Sequence, residues 1–188
     1  MKQICASVIS IYLIFIVSCN YDSVPSVNEN IPNGDFENWD AALRLLNWKT
    51  NSCPECVQSH ETYIVQRESN YVYHGRYAAL FIYNYANPAW AENKFSISFH
   101  PLSLAGYVRC NNVGSDSVYI KIKLYRNRAI VDSGSWIGTS SIPNYELVTI
   151  PITQNATKVD SALIRIQGGN RNSLANTTSF WVDDLKLN

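Results

Sequence analysis

Val118-Tyr119-Ile120-Lys121-Ile122-Lys123-Leu124-Tyr125 alternates an aliphatic residue with a charged or aromatic one along its whole length. Successive side chains of an extended strand point to opposite faces. Val118, Ile120, Ile122 and Leu124 therefore share one side, and Tyr119, Lys121, Lys123 and Tyr125 share the other. A helix would scatter both sets around its circumference. The stretch is a strand with one buried face, and two of its aromatics stand on the face turned away from the core.

The same period recurs on either side. Phe95, Ile97 and Phe99 alternate with Lys94, Ser96 and Ser98. Similar runs occupy Thr62 to Arg67, Tyr77 to Tyr83, Leu102 to Cys110, Tyr145 to Ile152, Ala162 to Gln167 and Ser179 to Leu187, and clusters of Gly, Asn, Pro and Ser separate them. Many short strands with one apolar face predict an all-β sandwich. The single helical candidate, residues 41–48, is too short to organise the fold and is read as a decorated loop.

Charge narrows the partners. The chain has 188 residues with 15 basic and 15 acidic side chains, and no Lys/Arg cluster follows a groove-sized path, so nucleic acid is not an expected partner. Aromatics make up 12% of the chain, mostly Tyr, which suits both strands and surfaces that meet amphipathic ligands such as sugars.

The amino terminus reads as an export signal. Lys2 precedes an apolar run from Val8 to Val17, shorter than the roughly 18 apolar residues of a membrane-spanning helix. Ile16-Val17-Ser18-Cys19 resembles the lipobox of bacterial lipoproteins. The resemblance implies that residues 1–18 are a signal peptide and that Cys19 carries acyl groups, which tether the protein to a membrane of the cell envelope, expected to be the outer membrane. Which leaflet holds the lipid stays open. Residues 19–30 then form the lipidated start and a flexible tether, and residues 31–188 one folded domain.

Cys5 would leave with the signal, so Cys53, Cys56 and Cys110 remain beside the lipid site. Cys53-Pro54-Glu55-Cys56 lacks the second ligand pair that zinc wants and the βαβ setting of a redox motif. A local disulfide between Cys53 and Cys56 is expected, with a pairing that involves Cys110 left open. Cys110 lies in phase with Val108 and is expected to be buried and inert.

Three stretches carry a likeness in order: Asn33-Gly34-Asp35-Phe36-Glu37-Asn38-Trp39, His74-Gly75-Arg76-Tyr77-Ala78-Ala79-Leu80 and Phe180-Trp181-Val182-Asp183-Asp184-Leu185. Together they resemble a galactose-binding-like jelly roll, and within it the carbohydrate-binding modules of families four and nine. Phe99 to Val108, Ser115-Asp116-Ser117 and Val159 to Ala162 are similar to the carbohydrate-metabolism domains of Bacteroidota surface lipoproteins. Modules of this likeness hold a structural calcium between first and last strands, which implies Asp35, Glu37, Asp183 and Asp184 as candidate ligands; calcium asks for six to eight oxygens. Pairing of these acids with Arg76 or Lys186 is the alternative.

A sugar site needs flat apolar faces and a few fixed polar groups. Tyr119 and Tyr125 qualify by alternation. Trp90, which follows Tyr85 in a turn-rich segment, and Trp136, in Ser133-Gly134-Ser135-Trp136-Ile137-Gly138, are the other candidates, with Tyr85 beside them. Trp39, Trp48 and Trp181 are expected in the core. The sequence holds no nucleophile elbow, zinc-protease helix, phosphate loop or dinucleotide fingerprint. The expected function is non-catalytic glycan binding at the cell envelope. An adhesive or structural module for an envelope protein is the alternative, and a glycoside-active enzyme built on an Asp/Glu pair is third.

Overall fold

Alternating burial turns the strand pattern into two sheets. The computed structural model describes residues 31–52, 64–83, 88–111, 117–169 and 178–188. Its strands are β1 (Lys49–Thr50), β2 (Val65–Glu68), β3 (Ala78–Tyr83), β4 (Ala89–Ser96), β5 (Ser103–Asn111), β6 (Val118–Arg126), β7 (Ala129–Gly138), β8 (Ile142–Pro151), β9 (Ser161–Gly168) and β10 (Thr178–Leu187). They pair antiparallel as β1-β4-β9-β6-β7 and β2-β3-β10-β5-β8, two five-stranded sheets stacked as a jelly-roll β-sandwich. Among the described residues there is no helix.

The core fills the space between the sheets. The first sheet contributes Val118, Ile120, Ile122 and Leu124 of β6 with Ala162, Ile164 and Ile166 of β9; the second answers with Phe81, Phe180, Val182, Leu104 and Val108. Phe81 and Phe180 stack with ring centroids 4.5 Å apart. Each such side chain removed from water contributes about 1.5–3 kcal/mol. Cys110 is buried at 1% exposure, as its phase on β5 requires.

Two local readings change. Residues 41–48 form turns joined by a Trp39–Leu45 bridge, because the Asp40 carboxylate accepts the Ala42 and Arg44 amides (both 2.9 Å) and ties the segment into a loop. Leu43 and Asn47 take positive φ there, which a helix does not tolerate. Ser133-Gly134-Ser135-Trp136-Ile137-Gly138, turn-rich by composition, belongs to strand β7. Its inward positions are Asp132, Gly134, Trp136 and Gly138, so no aliphatic period announces it. Gly134 is required because a Cβ would stand 2.5 Å from the Pro151 carbonyl oxygen at the end of β8. Asp132 is 2% exposed and accepts hydrogen bonds from the Asn155 and Ala156 amides, the Thr153 hydroxyl and His100 Nε2. Burial pushes its carboxyl up, but these donors outweigh burial and hold it well below the usual carboxylate range.

The chain's opening turn and its last strand lie side by side. The Leu185 amide donates to the Gly34 carbonyl at 2.9 Å. The opening segment is a turn, closed by hydrogen bonds from Gly34 to Ile31 and from Phe36 to Asn33, with Asn33 bracing Asn38 and Leu46. Phe36 nonetheless enters the core, fully buried against Trp48. Trp48 and Trp181 are buried and Trp39 packs against the core, each indole satisfied by an acceptor: the Asn33 carbonyl, Glu68 and the Phe36 carbonyl.

Candidate functional site

Cross-strand partners share a face, so the register of the first sheet writes out its outer surface row by row. Trp90, Gln167, Tyr119 and Ile137 form one row across β4, β9, β6 and β7. Glu92, Arg165, Lys121 and Ser135 form the next, extended by Lys49 of β1. Lys94, Leu163, Lys123 and Ser133 form the third. Neighbouring strands lie about 4.8 Å apart, which sets Trp90 and Tyr119 about 10 Å apart with Gln167 between them. The rows line an open cleft of about 740 Å³ whose walls are Pro88, Trp90, Glu92, Tyr119, Lys121, Lys123, Leu163, Arg165, Gln167 and Gly169.

The cleft side chains are held in place. Asn51 brackets Trp90: its Oδ1 accepts the Trp90 amide at 3.0 Å and its Nδ2 donates to the Pro88 carbonyl at 2.7 Å. Arg165 Nη1 donates to Glu92 Oε1 at 2.5 Å, its Nε donates to Gln167 Oε1 at 3.1 Å, and its guanidinium carbon stands 4.8 Å from the Trp90 ring. The Ser117 hydroxyl donates to the Tyr119 oxygen at 2.7 Å, and the Lys121 ammonium lies 5.2 Å from the Tyr119 ring. Two aromatic faces flanking fixed amide, carboxylate and guanidinium groups suit a hydroxyl-rich ring with one apolar side.

Of the residues singled out in the sequence, Trp90 and Tyr119 meet in this cleft. Trp90 lies on β4 rather than in a turn; Ala89, Ala91 and Asn93 as its inward neighbours hid the strand's period. Tyr125 is on the same strand as Tyr119, beyond a bulge, with the Lys94 ammonium 5.2 Å from its ring. Trp136 pairs with Ile120 and packs against the core from the inner side of β7, so it is not on the cleft face. Tyr85, Cys19, Cys53 and Cys56 lie outside the described residues. Arg165, Gln167 and Glu92 complete the cleft, and the alternation of Ala162 to Gln167 already places Arg165 and Gln167 outward.

The outer face of the second sheet is covered by the segment after β2. Arg109 is sandwiched between Tyr71 (3.8 Å) and Trp181 (4.8 Å), and Tyr73 stacks on Tyr107.

The acids expected to hold calcium serve the backbone. Glu37 Oε1 accepts the amides of Arg76 and Tyr77 at 2.7 and 2.9 Å. Asp183, fully buried, accepts the amides of Tyr73 and His74 on Oδ2 and of Asp184 on Oδ1. Asp184 binds Lys186 at 2.8 Å, and Asp35 is exposed. Among the described residues no group of three or more His, Cys, Asp or Glu side chains is placed to hold a metal ion. Glu37 Oε1 and Asp183 Oδ2 are thus committed to backbone amides.

No family model and no curated protein matches the chain. Solved structures do. A family 61 carbohydrate-binding module (TmCBM61) in complex with β-1,4-galactotriose superposes with a TM-score of 0.52 at 14% identity, covering 87% of this chain and 99% of that one. A carbohydrate-binding module structure from the β-sandwich superfamily gives 0.52 at 10% identity, covering 82% and 62%. A Stig cyclase from Fischerella sp. TAU gives 0.50 at 12% identity, covering 86% and 96%. The fold is thus a jelly-roll β-sandwich shared with these carbohydrate-binding modules and this cyclase. An enzyme shares the frame, so the cleft rather than the fold decides the function.

Proposed function

We propose that this chain is a non-catalytic glycan-binding lipoprotein of the bacterial cell envelope, anchored through Cys19 at the outer membrane. The observation that carries the proposal is the pair Trp90 and Tyr119, set on either side of Gln167 in an open cleft. That spacing offers platforms on the scale of a short oligosaccharide rather than a single enclosed ring. Glycosidase chemistry asks for two carboxylates roughly 5 to 9.5 Å apart. Among the described residues lining the cleft, Glu92 is the one acid, and Arg165 engages it. The large exposed aliphatic side chains, such as Leu43, Leu102, Ile130 and Leu147, are spread over loops and separate strands, which favours sugar over a broad protein interface.

A glycan array with the purified protein, followed by affinity electrophoresis on the polysaccharides that score, tests the binding. Retention by at least one polysaccharide without release of reducing ends is the expected result; indifference to every plant, host and microbial polysaccharide refutes it. Metabolic labelling with a fatty-acid probe, lost in Cys19→Ser, tests the anchor.

A further inference from the structure

The cleft has an electrostatic character that the chain as a whole lacks. The protein carries 15 basic and 15 acidic residues, yet the described cleft lining holds Lys121, Lys123 and Arg165 against Glu92 alone. The register sharpens the asymmetry. Lys121 of β6 stands directly opposite Arg165 of β9, and like charges opposite one another destabilise a sheet. Glu92 faces Arg165 from the other side and takes its guanidinium, and among the described cleft residues no second carboxylate stands against Lys121 and Lys123. A surface that keeps this repulsion beside two aromatic platforms is built to have it relieved by a ligand.

Resting on the glycan-binding reading above, we infer that the ligand is an anionic polysaccharide, one whose carboxylate or sulfate groups meet Lys121, Lys123 and Arg165 while its rings lie on Trp90 and Tyr119. Ammonium and guanidinium groups make charge-assisted hydrogen bonds to either anion. Glu92 and Gln167 favour a sugar chain over a nucleic acid. Both provide acceptors for the hydroxyl donors in which a sugar chain is rich.

The test uses the purified protein and polysaccharides matched in backbone. Methyl-esterified pectin is compared with the polygalacturonate made from it by de-esterification, and dextran with dextran sulfate, by titration calorimetry at low and high salt. The expected result is tighter binding to the charged member of at least one pair, by about tenfold for each charge-assisted hydrogen bond gained, with the advantage shrinking as salt screens it. Preference within the pectin pair assigns carboxylates, and within the dextran pair sulfates; both support the inference. The variant carrying Lys121→Gln and Lys123→Gln should lose the preference while melting no lower than the parent, because one repulsive pair has gone. Equal binding within both pairs overturns the anionic assignment and leaves glycan binding standing. If no polysaccharide binds at all, charged or neutral, both fail. Retention of single-stranded DNA in place of any polysaccharide also overturns it.

Discussion

Glu37 and Gly75 are in mutual contact at the seam between the two ends of the fold: the Glu37 carboxylate fills the position where a Gly75 side chain would begin. Gly75 adopts φ of +77°, which aims the following amides of Arg76 and Tyr77 at Glu37 Oε1. A left-handed turn and a charge-assisted pair of hydrogen bonds thus depend on one missing Cβ. Gly75→Ala should cost about 2–4 kcal/mol through backbone strain and the lost amide bonds, a fall in Tm of about 5–15 °C for a domain of this size. Thermal melts followed by circular dichroism measure it, and a variant as stable as the parent would show that the seam does not need this turn.

Asp183 and Asp132 predict opposite responses to pH. Burial pushes the Asp183 carboxyl up to about 6, helped by the neighbouring Asp184 charge and resisted by its amide donors. An acid raised in the folded state stabilises fully below its ordinary value of 3.8, and that contribution is lost as pH rises through about 6. The Asp132 carboxyl is depressed, so its contribution is present above 3.8 and lost as the solution is made more acidic. Melting temperature should therefore decline from about pH 4 to 6 by the Asp183 contribution, and Asp183→Asn should flatten that segment of the profile. The slope is the readout, since the Asn amide would also confront backbone N–H groups at every pH. An unchanged slope in the variant would assign the titration elsewhere.

Calcium should leave the protein's stability alone. A structural ion at a hundred times its dissociation constant would add about 2.7 kcal/mol, a readily visible rise of about 5–10 °C in Tm. Of the four candidate acids, Glu37 and Asp183 already accept backbone amides, Asp184 pairs with Lys186, and Asp35 is exposed. Scans with chelator and with millimolar calcium should superimpose. Separation of the two curves would mean that the seam rearranges around an ion.

How much of this was legible depended on what each strand buries. β6 alternates aliphatic with polar residues along its length, so its face assignments, including Tyr119, followed from the sequence. β4 buries Ala89, Ala91 and Asn93, the last bound to the Pro32 carbonyl, and β7 turns Asp132, Gly134, Trp136 and Gly138 inward. Neither presents an apolar period, which is why Trp90 and Trp136 were read as turn residues. The cleft itself depends on register: only the pairing of Gln167 with both Trp90 and Tyr119 puts those aromatics in one row. No local pattern encodes a contact between residues so far apart in the chain.

The register also separates two tryptophans that looked equivalent in sequence, and this gives the most discriminating experiment on the site. Trp90 faces the cleft, with Arg165 against its ring, while Trp136 turns inward beside Ile120 and lies against Gly138. Removing a platform that ligand covers costs affinity, about 2 kcal/mol or more where the aromatic is an anchor, or some thirtyfold in Kd. Removing an aromatic packed on the core costs stability, about 2–4 kcal/mol. Trp90→Ala and Tyr119→Ala should therefore each weaken binding to whichever polysaccharide the array identifies, with Tm close to the parent. Trp136→Ala should lower Tm by about 5–15 °C and leave Kd unchanged at a temperature where the variant is folded. Calorimetric titrations and melts on the three variants decide the matter: if Trp136→Ala abolishes binding while Trp90→Ala and Tyr119→Ala bind normally, the ligand sits at the β7 edge and the outer face of the first sheet is not the site.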